Sequence, residues 1–340
     1  MKEIGGYFGL EDFSGCEYYQ GLYRINLGRT ALLYLLENIN CQTLLVPELL
    51  CDSMTEVCRR HGIALQYYRQ DRDLTPLVKG PLPAGHWLLL VNYYGQLTDS
   101  RILAAKEQFG HIIVDHTHSF FQRPLRGIPT LYSCRKFFGL ADGAYLSTDL
   151  LLPPIAAQDI SYPRMKHVLG RYEETASQHY QELHEAASSY YEEEIKTMSR
   201  LTRNLLKAID YEKARKQRNE NYQVLDTLLG TENPISTLYT GPAVPLAPAP
   251  FQAPDGPLAY PFYSPNGIVL RKALAKEKIY VPTYWGNVIS SCPEDSVEYQ
   301  CAANILALPC DHRYGRPEME QIARAVTELT AAGRQKGAFL

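Results

Sequence analysis

Three stretches in the first half of the chain carry side chains whose types and order could build one chemical site. Gly28-Arg29-Thr30 opens a run, Gly28 to Glu37, that reads as a helix. The unpaired N–H groups and positive dipole end at a helix start attract an anion, and the Thr30 hydroxyl would add a donor. Asp115 directly follows the apolar strand Ile112-Ile113-Val114 and precedes His116-Thr117-His118. Ligands of open α/β sheets collect at the carboxyl ends of strands, so a carboxylate there is placed to hold a proton on a heteroaromatic nitrogen. Ser133-Cys134-Arg135-Lys136 lies just past another strand, with Phe137-Phe138 behind it. Apolar neighbours desolvate a lysine, lower its pKa and free the amine as a nucleophile.

Each stretch also has an ordinary explanation. A helix start at Gly or Thr is commonly only a cap. A strand-end Asp commonly opens a loop, and Arg135-Lys136 reads equally well as a solvated basic pair. Their order within one domain is more specific. A phosphate cup, a partner for a pyridine nitrogen and an imine-forming amine are what pyridoxal 5'-phosphate requires.

The elements that must position these residues alternate. Helices are expected over Gly28 to Glu37, Ser53 to Arg60 and Arg101 to Gln108. Strands are expected over Gln42 to Pro47, Ile63 to Tyr68, His86 to Tyr93, Ile112 to Val114, Thr130 to Cys134 and Gly143 to Ser147. That alternation predicts a parallel sheet covered on both faces. From Lys166 to Tyr222 the chain lacks proline, has only Gly170 as a glycine and is rich in charge, which predicts one long helix or two in series. Pro242 to Pro265 holds eight prolines, which excludes helix and central strand and predicts an irregular connection. Alternation then returns: helix Val269 to Ala275, strand Ile279 to Val281, helix Glu294 to Asn304, strand Ile305 to Pro309, and a helix Pro317 to Ala332 capped by Gly333. The expected organisation is a large α/β domain with an N-terminal arm over 1–190, then a bridging helix and a small C-terminal α+β domain over 191–340.

Composition narrows the function classes. The 340 residues suggest roughly two domains, and 45% hydrophobic content permits a substantial core. A formal net charge of -3 gives no pull toward nucleic acid or an anionic membrane, so neither is expected as a partner. No apolar run approaches the roughly 18 residues of a membrane span. The start, Met1-Lys2-Glu3-Ile4-Gly5-Gly6, lacks the apolar stretch of a signal peptide, so the expected location is the cytoplasm. The eight cysteines form no C-x-x-C pair and no zinc-finger spacing with histidine, so reduced thiols and no metal are expected. The 25 tyrosines suit pocket walls and interfaces without naming a ligand. No G-x-G-x-x-G follows the first strand, which disfavours a Rossmann-type nucleotide enzyme.

With these residues in view, the sequence resembles the DegT/DnrJ/EryC1/StrS aminotransferases of fold type I, from about Phe8 to Arg324. Phe8-Gly9-Leu10-Glu11 and Gly28-Arg29-Thr30-Ala31-Leu32 look like that family's opening and phosphate-loop region. Val46-Pro47-Glu48-Leu49-Leu50-Cys51 is similar to its second strand and the turn over the cofactor. Val114-Asp115-His116-Thr117-His118 is similar to its Asp motif, and Ser133 and Lys136 match its serine and Schiff-base lysine. Ala307-Leu308-Pro309-Cys310-Asp311-His312-Arg313-Tyr314 is close to its C-terminal signature.

The resemblance implies pyridoxal 5'-phosphate held by Gly28, Arg29, Thr30, Cys51, Asp115, His118, Ser133 and Lys136. In that scheme Asp115 meets the pyridine nitrogen and His118 the phenolic oxygen. Lys136 is the general base that moves the proton at the donor's Cα. It implies transfer of an amino group from a glutamate-like donor to a keto sugar, by analogy nucleotide-linked, and a homodimer. Members that dehydrate instead replace the lysine, so Lys136 favours transfer.

Tyr94, Arg313 and Tyr284 are the candidate substrate contacts, with His312 and the Tyr280 to Trp285 loop as further pocket walls, though packing accounts for each as well. Arg271 reads as a carboxylate ligand or a helix-surface arginine. Asn219 and Asn221 are weaker candidates for reaching a phosphate across the dimer. Two departures stand out: the S-x-x-K spacing is shorter than in typical sugar aminotransferases, and Leu49-Leu50-Cys51 lacks the usual ring-stacking aromatic, a place Tyr93 or Tyr94 could fill. They support a rival of another class, a non-catalytic binding or regulatory protein that kept the fold.

Overall fold

The computed structural model describes residues 4–192, 194–233, 235 and 253–335. Its main sheet has seven strands: β1 (Tyr23–Ile25), β2 (Thr43–Pro47), β3 (Ala64–Tyr68), β4 (His86–Val91), β5 (Ile112–Asp115), β6 (Thr130–Ser133) and β7 (Ala144–Ser147). Their spatial order is β1-β7-β6-β5-β4-β2-β3. The pairs from β3 to β6 are parallel, as the alternation predicts, whereas β7 runs antiparallel to both β6 and β1. The short link from Ser133 to Ala144 explains the reversal, because a parallel crossover needs about a dozen residues or more, usually a helix. Two antiparallel steps restore direction, so β1 again points the same way as β6.

Strand residues alternate between two cores. Leu44, Val46, Leu89 and Ile113 meet α1 (Gly28–Leu36) and α2 (Asp52–Arg60) on one face. Leu45, Leu88, Leu90, Ile112 and Val114 meet α3 (Asp99–Phe109) on the other. Burial on both faces is why these strands are continuously apolar. Helix α1 is apolar almost all round, and each fully buried leucine in it contributes about 1.5–3 kcal/mol. A third core is aromatic, joining Tyr19, Tyr93, Tyr94, Phe120, Tyr132 and Trp285.

The charged stretch after Lys166 is four helices rather than one or two: α4 (Lys166–Glu173), α5 (Tyr180–Ser189), α6 (Arg200–Lys207) and α7 (Tyr211–Leu229). Local caps break it. The Ser199 side chain accepts from Thr202 N–H and the Asp210 side chain from Lys213 N–H. Ser199 and Thr202 also donate to the buried Asp142 carboxylate, which ties α6 to the main-sheet layer. In the proline-rich connection, residues 236–252 lie outside those described. The rest runs irregularly into β8 (Ala259–Tyr263), a strand that contains Pro261. Among the described residues its sheet has only β8 and the antiparallel β9 (Ile305–Pro309), so both strands are edges there and proline is tolerated.

Beneath this small sheet lies a fourth core of Tyr222, Leu225, Phe262, Leu270, Leu308 and Val326. Helix α8 (Gly267–Lys276) is followed by Lys278, whose φ of 60° turns the chain. Ile279 to Val281 is irregular there instead of a strand. Helix α9 (Gly286–Ser291) and strand β1 were not expected from the sequence, being too short to show a period. Helix α10 (Val297–Asn304) starts later than the periodicity implies, at the Ser296 cap. The last helix, α11 (Arg316–Gln335), runs through Gly333 instead of ending there.

Candidate active site

Because β1, β2, β4, β5 and β6 share a direction, the segments that follow them open along one edge of the main sheet. Asp115 ends β5 and is only 5% exposed. Its Oδ1 accepts the Thr117 N–H at 2.8 Å, and it forms no ion pair among the described residues. Burial raises its pKa, against the opposing pull of Thr117 and Lys136. Two histidines follow. His116 Nδ1 lies 3.1 Å from the Asn92 amide Nδ2, which assigns it as acceptor. His118 Nδ1 is buried with no hydrogen-bond partner. Burial pushes both pKa values down to about 3, with Lys136 adding to the effect at His118. Both rings are neutral at physiological pH.

Lys136 sits in a single 3-10 turn, Cys134–Lys136, that leaves β6 at Ser133. Phe137 N–H closes the turn onto the Cys134 carbonyl at 3.0 Å, and buried Phe137 and Phe138 anchor it in the aromatic core. Lys136 itself is an exposed residue. Its Nζ lies 4.8 Å from the centre of the Tyr284 ring. Crowding by protein lowers its pKa, Cys51 opposes this, Arg135 adds to it and Asp115 opposes it. Solvent still reaches the exposed residue, and that screening limits the depression. Behind the turn, Gly143 has a φ of +115°, and a Cβ there would meet Thr202 Cγ2 at 2.9 Å.

The anion cradle is only partly as expected. The first turn of α1 leaves the N–H groups of Gly28, Arg29 and Thr30 without intrahelical acceptors. The Thr30 hydroxyl, however, is fully buried: it donates to Asn26 Oδ1 at 2.6 Å and accepts the Leu27 N–H at 3.2 Å. It caps the helix, its hydroxyl committed to these local bonds. The half-buried Arg29 donates to the Tyr190 carbonyl at 3.3 Å and lies over the Tyr191 ring. Burial lowers its pKa, and of its charged neighbours Arg135 adds to that effect. Cys51 occupies the N-cap position of α2 without a side-chain cap bond, its Sγ 3.2 Å from Ser53 Oγ, and it acts electrostatically on both Lys136 and Arg29. Ser133, half-buried, is the last residue of β6.

Of the candidate substrate residues, Tyr94 and Tyr284 do converge. The ring of Tyr94, held in the left-handed region at φ 53°, is 5.6 Å from His118. Tyr284 is 4.9 Å and Trp285 5.7 Å from the same imidazole. Asn287 ties this C-terminal loop to the Leu50 carbonyl at 2.9 Å. Tyr94 and a loop distant in sequence thus bring aromatic rings to His118. Tyr93 turns away, its hydroxyl donating to the Leu49 carbonyl at 2.6 Å.

Arg313 is drawn aside to Asp311, at 2.7 and 2.9 Å, and stands exposed. Arg271 donates to the Ala303 and Ile305 carbonyls. Asn219 bonds Asp255, and Asn221 bonds the Cys310, Asp311 and Tyr314 carbonyls, so both brace the chain that carries them. Arg218, one of two arginines on α7, gave no signal in the sequence. It reaches the Phe137 carbonyl beside Lys136 at 2.9 Å.

Neither a family model nor a curated protein matches the chain. Solved structures do. A DegT DnrJ EryC1 StrS aminotransferase from Brucella abortus matches with a TM-score of 0.56 at 15% identity, covering 91% of this chain and 85% of that one. DesI, solved in the presence of its TDP-sugar product, matches at 0.58 and 14%, covering 93% and 82%. Spr1654 from Streptococcus pneumoniae in its PLP-form matches at 0.58 and 13%, covering 91% and 87%. The chain has the fold of these aminotransferases. At such identities the likeness is one of fold, and function rests on the site itself.

Among the described residues no helix is long and apolar enough to cross a membrane. No group of three or more His, Cys, Asp and Glu there could hold a metal ion.

Proposed function

We propose that the protein is a pyridoxal-phosphate-dependent aminotransferase that moves an amino group from a glutamate-like amino acid to a keto sugar, nucleotide-linked by analogy with DesI. One observation carries this reading. The Lys136 amine, which makes no hydrogen bond among the described residues, lies within electrostatic reach of a buried carboxylate that forms no ion pair there and of a buried imidazole whose Nδ1 has no hydrogen-bond partner there. A protonated heteroaromatic ring bearing a phenolic oxygen would satisfy both groups.

Asp115 would hold the proton on the ring nitrogen, and His118 would meet the phenolic oxygen. The α1 N–H groups with Arg29, together with Cys51 and Ser133, would hold the phosphate end, the Thr30 side chain acting from behind as the cap. Bound there, pyridoxal phosphate supplies a ring that accepts the electron pair left when a proton departs from Cα of the amino donor. Lys136 Nζ takes and returns that proton, helped by a depressed pKa that keeps part of the amine neutral. Tyr94, Tyr284 and Trp285 wall the site and limit water, with Arg313 as a substrate contact if its pairing to Asp311 opens.

The same reading includes a cofactor domain over 1–190 and a bridging and C-terminal portion over 191–340. It also includes a homodimer, supported by the exposed Leu151, Tyr162, Leu169 and Tyr172. A cytoplasmic setting suits eight unpaired cysteines.

Borohydride reduction in the presence of pyridoxal phosphate, followed by peptide mapping, should place the cofactor on Lys136, and Lys136→Ala should abolish the adduct while the protein stays folded. Recovery of the label on another lysine, such as Lys166, would refute the assignment. The rival non-catalytic binder is separated by a donor screen: a bound cofactor whose visible absorbance no amino acid bleaches would favour it.

A further inference from the structure

Among the described residues Arg218 is the largest fully buried side chain, with 1% of its surface exposed. All three arms of its guanidinium are used. Nη2 donates to the Phe137 carbonyl at 2.9 Å, Nη1 to the Pro257 carbonyl at 2.8 Å, and Nε to His312 Nδ1 at 3.2 Å. Its centre lies 4.7 Å from the Phe137 ring. None of these acceptors is a carboxylate. Asp311 acts on it electrostatically but gives both of its oxygens to Arg313. A cation buried among neutral acceptors is costly, and an apolar side chain of similar volume would fill the space without that cost. What the apolar side chain could not do is aim three fixed donors at three separate pieces of chain.

Those pieces are the turn after β6, the strap that leads into β8, and the loop after β9. Phe137 is the residue next to Lys136 and the one whose N–H closes the lysine turn. The other two acceptors belong to the C-terminal part of the chain, and Tyr284, over the Lys136 amine, is also within electrostatic reach of Arg218. His312 must present an unprotonated Nδ1 for this arrangement, in keeping with a pKa pushed down to about 4 by burial and by Arg218 itself.

We propose that Arg218 is a positioning residue, whose three-armed clamp fixes the Lys136 turn against the C-terminal part of the chain and so sets where the Lys136 amine sits. This rests on the reading of Lys136 as the cofactor lysine. Arg218 touches none of the reacting atoms. Lysine at this position keeps the charge but not the fork, and methionine keeps the bulk and neither.

The test compares the full-length wild type with Arg218→Lys and Arg218→Met. Pyridoxal phosphate is titrated in across a range of pH, the adduct is trapped with borohydride and mapped, and folding is followed by near-UV circular dichroism. Expected are a cofactor affinity at least tenfold weaker in Arg218→Met, a midpoint for adduct formation moved to higher pH, and label spread to other lysines, with part of each restored in Arg218→Lys. Folded variants with wild-type affinity, midpoint and site selectivity would overturn the inference. Should Arg218→Met fail to fold, His312→Phe removes one acceptor from the same clamp and is judged by the same three readouts. A wild type that gives no Lys136 adduct refutes the functional reading instead, so the two failures remain distinct.

Discussion

Acid should unfold this protein well before its carboxylates are exhausted, because three histidines are held neutral by the fold. His116 and His118 have pKa values pushed down to about 3, and His312 to about 4. In the unfolded chain each returns to about 6.5. A depressed pKa means the unfolded state binds more protons, so the stability is complete above about pH 6.5 and is lost as pH falls toward the folded values. Between pH 7 and pH 5 each of the buried His116 and His118 removes about 2 kcal/mol, and the partly exposed His312 removes less because solvent screens it, so the three together remove about 4–6 kcal/mol. That is a large share of the roughly 5–15 kcal/mol that a typical fold possesses. Asp115 acts in the opposite sense, since burial raises its pKa, so the histidine sum is an upper value. Urea unfolding at pH 7 and pH 5, followed by tryptophan fluorescence, measures the difference directly, and His118→Gln should reduce it by about a third. A stability that is unchanged, or higher at pH 5, would refute the claim that these rings are buried and neutral. The same shift keeps the His118 ring neutral at pH values well above about 3.

Two further outcomes concern the supports of the site. Gly143→Ala places a Cβ 2.9 Å from Thr202 Cγ2 at a φ of +115°, so thermal unfolding should show a loss of about 1–3 kcal/mol; an unaltered melt would contradict the backbone drawn here. Thr30→Val removes a hydroxyl bonded to Asn26 Oδ1 at 2.6 Å and should cost about 1–3 kcal/mol of stability. Cofactor affinity, measured below the melting temperature, should change little. A selective loss of affinity with no loss of stability would return the Thr30 side chain to the phosphate site.

Much of this was legible in the chain, because strand and helix periods are local properties. The apolar run of Ile112, Ile113 and Val114 and the position of Asp115 at its end required only neighbours in sequence. So did the placing of Lys136 past β6 and the start of α1 at Gly28.

What those residues face is not local. Whether the Thr30 hydroxyl points to a ligand or to Asn26 depends on a side chain across the helix start. The direction of β7 follows from the length of one link and from the partners on either side of it. The splitting of the stretch after Lys166 into four helices depends on caps, one of them bonded to Asp142 nearly sixty residues away. The aromatic walls at Tyr284 and Trp285, and the Arg218 clamp on the Lys136 turn, exist only once the C-terminal part of the chain packs against the sheet edge. Residue types and their order determined which chemistry was available; long-range packing decided which side chains reach it, because burial and hydrogen-bond partners come from segments distant in sequence.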